Sequence, residues 1–306
     1  MPATNRATPA SLKTVLVTTV TPFDDSGSIR YDQLSAHCEY LVENGAEALI
    51  PCGNTGEFTS LSLDEAERVT AATAAAVAGR AVVIGGVGGP TPVAVDLARA
   101  AEAAGADAVM VHHPMHTYIH RRGLLHYYER IIDAVDIGVV LYKRGPELTD
   151  DVIATLVQHE RVIGVKYAVN DVNAFANLVA SSQADVTWIC GTAERWAPFF
   201  FVAGATSFSS GLANFAPQKS MELFRLLEAR RYAEAMEVRN DIVLFEELRQ
   251  GNFSANNVSA VKAAMSVLGL CSDTVREPLL GLDDEGLGLV NECVEAWGTR
   301  PLLETA

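Results

Sequence analysis

Three features of the sequence predict a closed (β/α)8 barrel followed by a helical extension. Short β-rich runs alternate with alanine-rich amphipathic stretches along most of the chain. The runs number eight, and after residue 210 only helical patterns remain. Eight such units are the count that closes a parallel barrel, and the stretches between them have the length that a right-handed crossover helix requires. A doubly wound open sheet is the competing architecture, but it usually has fewer strands and leaves so regular an alternation unexplained.

In order, strands are expected at Thr14–Thr19, Ala48–Cys52, Ala81–Val87, Ala108–His112, Gly138–Tyr142, Val162–Lys166, Val186–Cys190 and Thr206–Ser210. Crossover helices include Asp64–Ala78, Pro92–Ala104, Arg122–Ala134 and Asp171–Ser181. Later helices are expected at Lys219–Glu228, Tyr232–Arg249, Val258–Leu268 and Glu285–Trp297. This pattern divides the chain into a barrel, residues 1–229, and a C-terminal helical region, residues 230–306. Apolar surface on such an extension packs against the barrel or a second subunit, so a homo-oligomer is expected. The glycines of Gly85-Gly86-Val87-Gly88-Gly89 fit neither phosphate-loop spacing, and with Pro90 following they read as a tight strand-to-helix turn.

The chain has 306 residues, 49% of them hydrophobic, enough for one large core. Its formal charge of -15 argues against nucleic acid or an acidic membrane as partner, and an anionic substrate would need a locally positive pocket. No stretch approaches the roughly 18 apolar residues of a membrane span, and residues 1–13 lack a signal-peptide core, so a cytoplasmic protein is expected. The cysteines, Cys38, Cys52, Cys190, Cys271 and Cys293, are odd in number and widely spaced in apolar contexts, which suits reduced core thiols.

Lys166 is the most informative residue. It closes the apolar run Val162-Ile163-Gly164-Val165 in a chain with few lysines, where an ammonium would be buried at heavy cost unless the site uses it. A desolvated lysine loses its proton far below its usual value of about 10.4 and becomes an amine nucleophile for ketones. The bland alternative is a strand-end lysine reaching solvent. In a barrel the chemistry lies at the carboxyl ends of the strands. Lys166 ends the sixth, Tyr142 the fifth, and the loop Gly53-Asn54-Thr55-Gly56-Glu57 follows the second. The two glycines of that loop permit a tight turn with inward N–H groups, a cradle for a carboxylate, although a plain β-to-α turn has the same look. Tyr142 reads as a proton carrier beside the amine or as an aromatic that fills the barrel.

These residues, with Thr21-Pro22-Phe23, Phe58, Leu61 and Glu65, Gly191, Gly204-Ala205, Lys262–Leu270 and Arg276-Glu277-Pro278-Leu279, give the chain its resemblance to a known family. Over nearly its full length it resembles the dihydrodipicolinate synthase and N-acetylneuraminate lyase family of Schiff-base lyases. The resemblance implies a (β/α)8 TIM barrel, commonly a homotetramer, with Lys166 as the imine-forming lysine and Tyr142 as the catalytic tyrosine. It also implies that Gly53, Asn54 and Thr55 bind the carboxylate of a 2-oxo acid, and that no cofactor or metal is needed.

Departures from the family pattern bear on the substrate. Glu147 stands where dihydrodipicolinate synthases carry an arginine for a second carboxylate, and His113-Pro114-Met115-His116-Thr117 replaces their tyrosine pair, with His116 as a candidate substitute. The run Tyr142-Lys143-Arg144, Glu57-Phe58 and the segment Phe208–Pro217 look more like the 5-dehydro-4-deoxyglucarate dehydratase branch, although Lys143 and Tyr167 depart from common family residues. The expected activity is therefore dehydration with decarboxylation of a 2-oxo-3-deoxy sugar acid. Arg144 is a candidate for the distal carboxylate, and Ser209, Ser210 and Asn214 for its hydroxyls. Alternatives are a pyruvate-dependent aldolase, a 4-hydroxy-tetrahydrodipicolinate synthase-like condensing enzyme, and a non-catalytic 2-oxo acid binder. The cluster His112, His113, His116, His120 and His126 raises a metal-dependent reading, but it crosses a strand end, a loop and a helix start with no carboxylate at ligand spacing.

Overall fold

The computed structural model describes residues 6–298. Its parallel strands close into one barrel: β1 (Val15–Thr18), β2 (Ala48–Ile50), β3 (Val82–Val87), β4 (Ala108–Val111), β5 (Gly138–Lys143), β6 (Val162–Tyr167), β7 (Thr187–Cys190) and β8 (Ser207–Ser210), with β8 paired to β1. The crossover helices are α1 (Tyr31–Glu43), α2 (Leu63–Val77), α3 (Thr91–Ala103), α4 (Arg121–Ile132), α5 (Asp150–Leu156), α6 (Val172–Ser181), α7 (Ala193–Val202) and α8 (Pro217–Glu228). Three more follow: α9 (Tyr232–Ser254), α10 (Ser259–Val267) and α11 (Asp284–Ala296).

All eight expected strands are present, as are the eight helices delimited from the sequence, with ends displaced by a few residues. Helices α1, α5 and α7 were not delimited in advance. The α5 helix has only 7 residues, and α7, AERWAPFFFV, carries Pro198 inside a mostly apolar run, so neither shows a clear helical period. Gly85 and Gly86 lie inside β3, as the strand expected at Ala81–Val87 has them, and only Gly88 and Gly89 fall in the turn after it. A Cβ on Gly86 would lie 2.0 Å from the Cys52 carbonyl oxygen, so glycine there lets the chain leaving β2 press against β3.

The side chains pointing into the barrel form a plug of Leu16, Ala48, Ile50, Ala108, Met110, Val140 and Ile189, all buried. At the carboxyl ends the inward positions turn polar, with Thr18, Tyr142, Lys166 and Ser209. Local sequence sets where the loops stop. Ser62 accepts the Glu65 N–H while Glu65 accepts the Ser62 N–H, a capping box that starts α2 after the Gly53–Glu57 loop and a short 3-10 turn at Phe58–Ser60.

Helices α9, α10 and α11 bury a second apolar core against the carboxyl end of the barrel. Ile242, Phe245, Val261 and Val290 meet Val20, beyond β1, and Leu212 and Phe215, beyond β8. A buried ion pair locks this seam: Lys262 Nζ, on α10, lies 2.6 Å from Glu57 Oε1, and both side chains are fully enclosed. Lys262 also donates to the Thr274 carbonyl (2.8 Å), and Glu57 Oε2 accepts the Arg276 N–H (2.9 Å). Removing one member of such a pair leaves an uncompensated buried charge. Lys262→Met is therefore expected to lower the unfolding free energy by about 3–5 kcal/mol. In Lys262→Met/Glu57→Gln, which has no orphan charge, much of that loss should return. Urea unfolding measures both, and equal losses would show that packing rather than charge carries the cost.

Candidate active site

Strands β5 and β6 run in register with Tyr142 opposite Lys166, so both side chains rise from adjacent strands into the barrel mouth. Lys166 Nζ sits 4.7 Å from the centre of the Tyr142 ring, and both residues are buried. Burial, with the nearby Arg144 charge as the second cause, brings the Lys166 amine down to about 7. Burial pushes the Tyr142 phenol up to about 12, so it keeps its proton. The phenol oxygen accepts from Asn54 Nδ2 (2.9 Å), which leaves the phenol hydrogen for another acceptor. An amine that is substantially neutral at pH 7 beside a protonated phenol is the pair that carbinolamine formation and its dehydration need.

A cavity of about 290 Å³ opens above them. Of the residues anticipated from the sequence, Asn54, Thr55, Arg144, Ser209 and Ser210 line it together with Lys166 and Tyr142. Gly53 lies behind the wall, where a Cβ would come within 2.3 Å of Thr18 Cγ2. Cys52 and Glu57 bracket the loop with positive φ (56° and 59°), a costly conformation for residues with side chains. Within the turn, the Glu57 N–H bonds to the Asn54 carbonyl and the Phe58 N–H to the Gly53 carbonyl. The Asn54 and Thr55 N–H groups donate to no acceptor among the described residues, and both residues line the cavity that holds the amine.

The serines differ in what their hydroxyls do. Ser210 donates to the buried Glu194 carboxylate, which also accepts from Ser220 (2.6 Å), and Ser210 Oγ accepts the Ala213 N–H (2.8 Å). Asn214 is spent on structure as well: its side chain takes the Val20 N–H and gives to the Thr18 carbonyl. Lys143 points outward, donating to the Leu148 carbonyl (2.6 Å) and lying 3.0 Å from Asp150, which braces the loop that carries Arg144. Tyr167 also points outward, its ring 5.2 Å from that of Phe175, so its departure from the family pattern does not touch the cavity.

The histidines disperse. His112 stacks on Phe58 at 4.3 Å and bonds the Cys52 carbonyl through Nε2 (2.8 Å), and burial brings it down to about 4, so it is neutral. His116 and His120 accept local backbone N–H groups. Among the described residues no three His, Cys, Asp or Glu side chains are grouped to hold a metal ion. Glu147 lies 3.9 Å from His113 in a neighbouring groove, outside the lining of the cavity.

Sequence reasoning missed the far wall, where Glu246, Arg249, Gln250 and Asn257 come from α9 and the turn after it. The spacing of Glu246 and Arg249, three apart on one helix, was the available signal, but such pairs are common on solvated surfaces.

Fold and site together define the class of Schiff-base-forming barrel lyases. Residues 11–297 match the profile of the Dihydrodipicolinate synthetase family, and the chain belongs to that family. A 4-hydroxy-tetrahydrodipicolinate synthase of Pelobacter propionicus is 31% identical over 289 residues, covering 92% of this chain and 98% of its own. A probable 5-dehydro-4-deoxyglucarate dehydratase of Saccharopolyspora erythraea is 34% identical over 265 residues, 85% of each chain. Among solved structures, a dihydrodipicolinate synthase from Bacillus clausii matches with a TM-score of 0.92 and 41% identity, covering 95% of this chain and 99% of its own. The enzyme from Acinetobacter baumannii, complexed with pyruvate, matches at 0.87 and 26% identity, covering 94% and 99%.

The Lys166 environment has a kinetic consequence. Only the neutral amine attacks a ketone, so the rate of borohydride-trappable adduct formation at subsaturating pyruvate is expected to rise with pH through an inflection near 7. Arg144 disfavours the ammonium as a like charge. In Arg144→Met the inflection should therefore move to higher pH, by up to about one pH unit. An inflection that stays near the ordinary lysine range, or one that moves to lower pH in the variant, would contradict this account.

Proposed function

We propose that Lys166 forms an imine with a 2-oxo acid and that the principal reaction is dehydration, with decarboxylation, of a 2-oxo-3-deoxy sugar acid such as 5-dehydro-4-deoxyglucarate. The observation that carries the reading is the buried amine paired with Tyr142 in a polar cavity whose lining also includes Asn54, Thr55, Arg144 and Arg249.

The substrate 1-carboxylate sits on the Asn54 and Thr55 N–H groups, which brings C2 to the Lys166 amine. Attack gives a carbinolamine. Tyr142 protonates its hydroxyl, water leaves, and the protonated imine becomes an electron sink. A C3 proton is lost to the phenolate, the enamine returns its electron pair, and the C4 hydroxyl departs as water. Loss of the distal carboxylate as carbon dioxide then feeds electrons into the conjugated imine. Protonation and hydrolysis release 2,5-dioxopentanoate and the free lysine. Ser209 faces the substrate hydroxyls, and Arg144, which has no carboxylate within 4.0 Å among the described residues, draws the dianion into an otherwise acidic protein.

The relatives support two substrates about equally, and the departure at Glu147 favours the dehydratase over the condensing enzyme. The exposure of Met115 and Tyr118 (77% and 84%), on the loop after β4, supports an oligomer built over that loop. The test is intact mass after borohydride reduction with pyruvate and with the aldaric-derived 2-oxo acid, on the native chain and Lys166→Ala, alongside carbon dioxide release. The native chain should gain the mass of one ligand less water plus the two hydrogens added by reduction, the variant should not, and carbon dioxide should be released from the dicarboxylate. Tyr142→Phe should lower kcat by roughly 10²–10⁴-fold. Pyruvate release without carbon dioxide would establish the aldolase instead.

A further inference from the structure

We propose that Arg249, on α9, is the specificity-determining residue that receives the distal carboxylate of the substrate, and that the C-terminal helical region thereby selects dicarboxylates over their monocarboxylate counterparts. This rests on the Schiff-base reading and extends it to the opposite wall of the same cavity.

Arg249 is only 5% exposed, yet it lines the cavity that holds Lys166 and Tyr142. Its Nη1 donates to Glu246 (2.6 Å), its Nη2 to the Asn257 side chain (2.8 Å) and its Nε to the Asn257 carbonyl (3.4 Å). Each terminal nitrogen keeps one further N–H, and neither has a partner among the described residues. A buried guanidinium held rigidly at one edge, with donors left over on both terminal nitrogens, is preorganised to take one more anionic group. The backbone makes room for it: a Cβ on Gly211 would come within 2.5 Å of Nη2, although φ there is -96° and strain does not require glycine. The glycine at the end of β8 is thus explained by the arginine, and the arginine by the cavity.

Charge separates the tasks of the two arginines. Arg144 is exposed and has no carboxylate within 4.0 Å among the described residues, so it acts as an entrance charge. Arg249 is neutralised by Glu246, so it orients a carboxylate through hydrogen bonds while placing little net positive charge on it. That suits a group that must leave as carbon dioxide, since a fully unpaired guanidinium would stabilise the carboxylate against departure.

The test compares half-saturating concentrations for borohydride trapping of the 2-oxo-3-deoxy aldaric acid and of the matching aldonic acid, which ends in a hydroxymethyl group. This readout needs imine formation but not turnover. In the native chain the dicarboxylate should trap at a concentration about tenfold or more lower. Arg249→Met/Glu246→Gln, which leaves no orphan carboxylate, should raise the dicarboxylate value by about tenfold or more and shift the monocarboxylate value far less. Gly211→Ala, which keeps both charges and only displaces the guanidinium, should change the ratio in the same direction. Folding of each variant is checked by one pyruvate adduct per chain at saturating pyruvate. Equal shifts for the two ligands, or no change in their ratio, would overturn the Arg249 assignment alone. A native chain that traps no 2-oxo acid would overturn the imine reading and this inference with it.

Discussion

The buried pair between Lys262 and Glu57 is the constraint on which the site depends. Glu57 has a left-handed backbone at the end of the Gly53–Glu57 loop, a conformation that persists only if its surroundings hold it there. Its two carboxylate oxygens are held from the C-terminal region, one by the Lys262 ammonium and the other by the Arg276 N–H. The Arg276 side chain then reaches the carbonyls of Gly27 and Ser60 and forks onto Glu65, the capping residue of α2. Phe23 lies beneath both cations, 4.1 Å from Lys262 Nζ and 4.4 Å from the Arg276 guanidinium. The loops after β1 and β2 and the chain after α10 therefore share one knot. A desolvated pair of this kind adds little net stability against an apolar replacement, but it fixes one arrangement, which a cradle of oriented N–H groups needs.

Electrostatics run on two scales. Over the whole surface the chain carries a formal charge of -15, which repels anions at long range. Within the cavity the balance is reversed. Arg144 is uncompensated, Arg249 is compensated by Glu246, and burial drives Lys166 toward neutrality rather than toward a partner. Desolvation is the larger cause at Lys166, so the neutral amine is created by the fold around β5 and β6, with the arginines as an adjustment. The same burial acts oppositely on the neighbouring phenol, because the charged form of a tyrosine is its deprotonated one. One dry environment thus yields a free base and a proton donor side by side, and no further group is needed to set the two apart.

What could be read from the sequence follows from how local each signal was. The eight strands and most helices were legible because their patterns are contained in short windows, and Lys166 and Tyr142 were legible because each closes such a strand. The outward course of Lys143 and Tyr167 follows from strand alternation once Tyr142 and Lys166 point inward. The need for glycine at position 86 was not legible, because it lies in the Cys52 carbonyl just beyond β2, which no window around residue 86 contains. The α7 helix was obscured by Pro198 and by aromatics that face several neighbours at once. Arg249 was illegible as a site residue for a stronger version of the same reason. Its contact with the barrel mouth exists only because the second apolar core docks α9 across β8.

That docking gives the architecture a division of labour. The closed barrel places the Lys166 amine, the Tyr142 phenol and the Asn54–Thr55 turn on one wall of the cavity, from β5, β6 and the loop after β2. The parts of a substrate that differ lie farther out, and there the wall comes from α9 and the turn that follows it. Residues on such an added layer can change without disturbing the ladder that positions Lys166, since helix α9 touches the barrel through α7, α8 and the apolar seam rather than through the strands that carry the amine and the phenol. Overall similarity does not separate the two chemistries: the chain is about equally similar to a synthase and to a dehydratase over most of its length, so a distinction between substrates has to be sought in individual side chains that line the cavity.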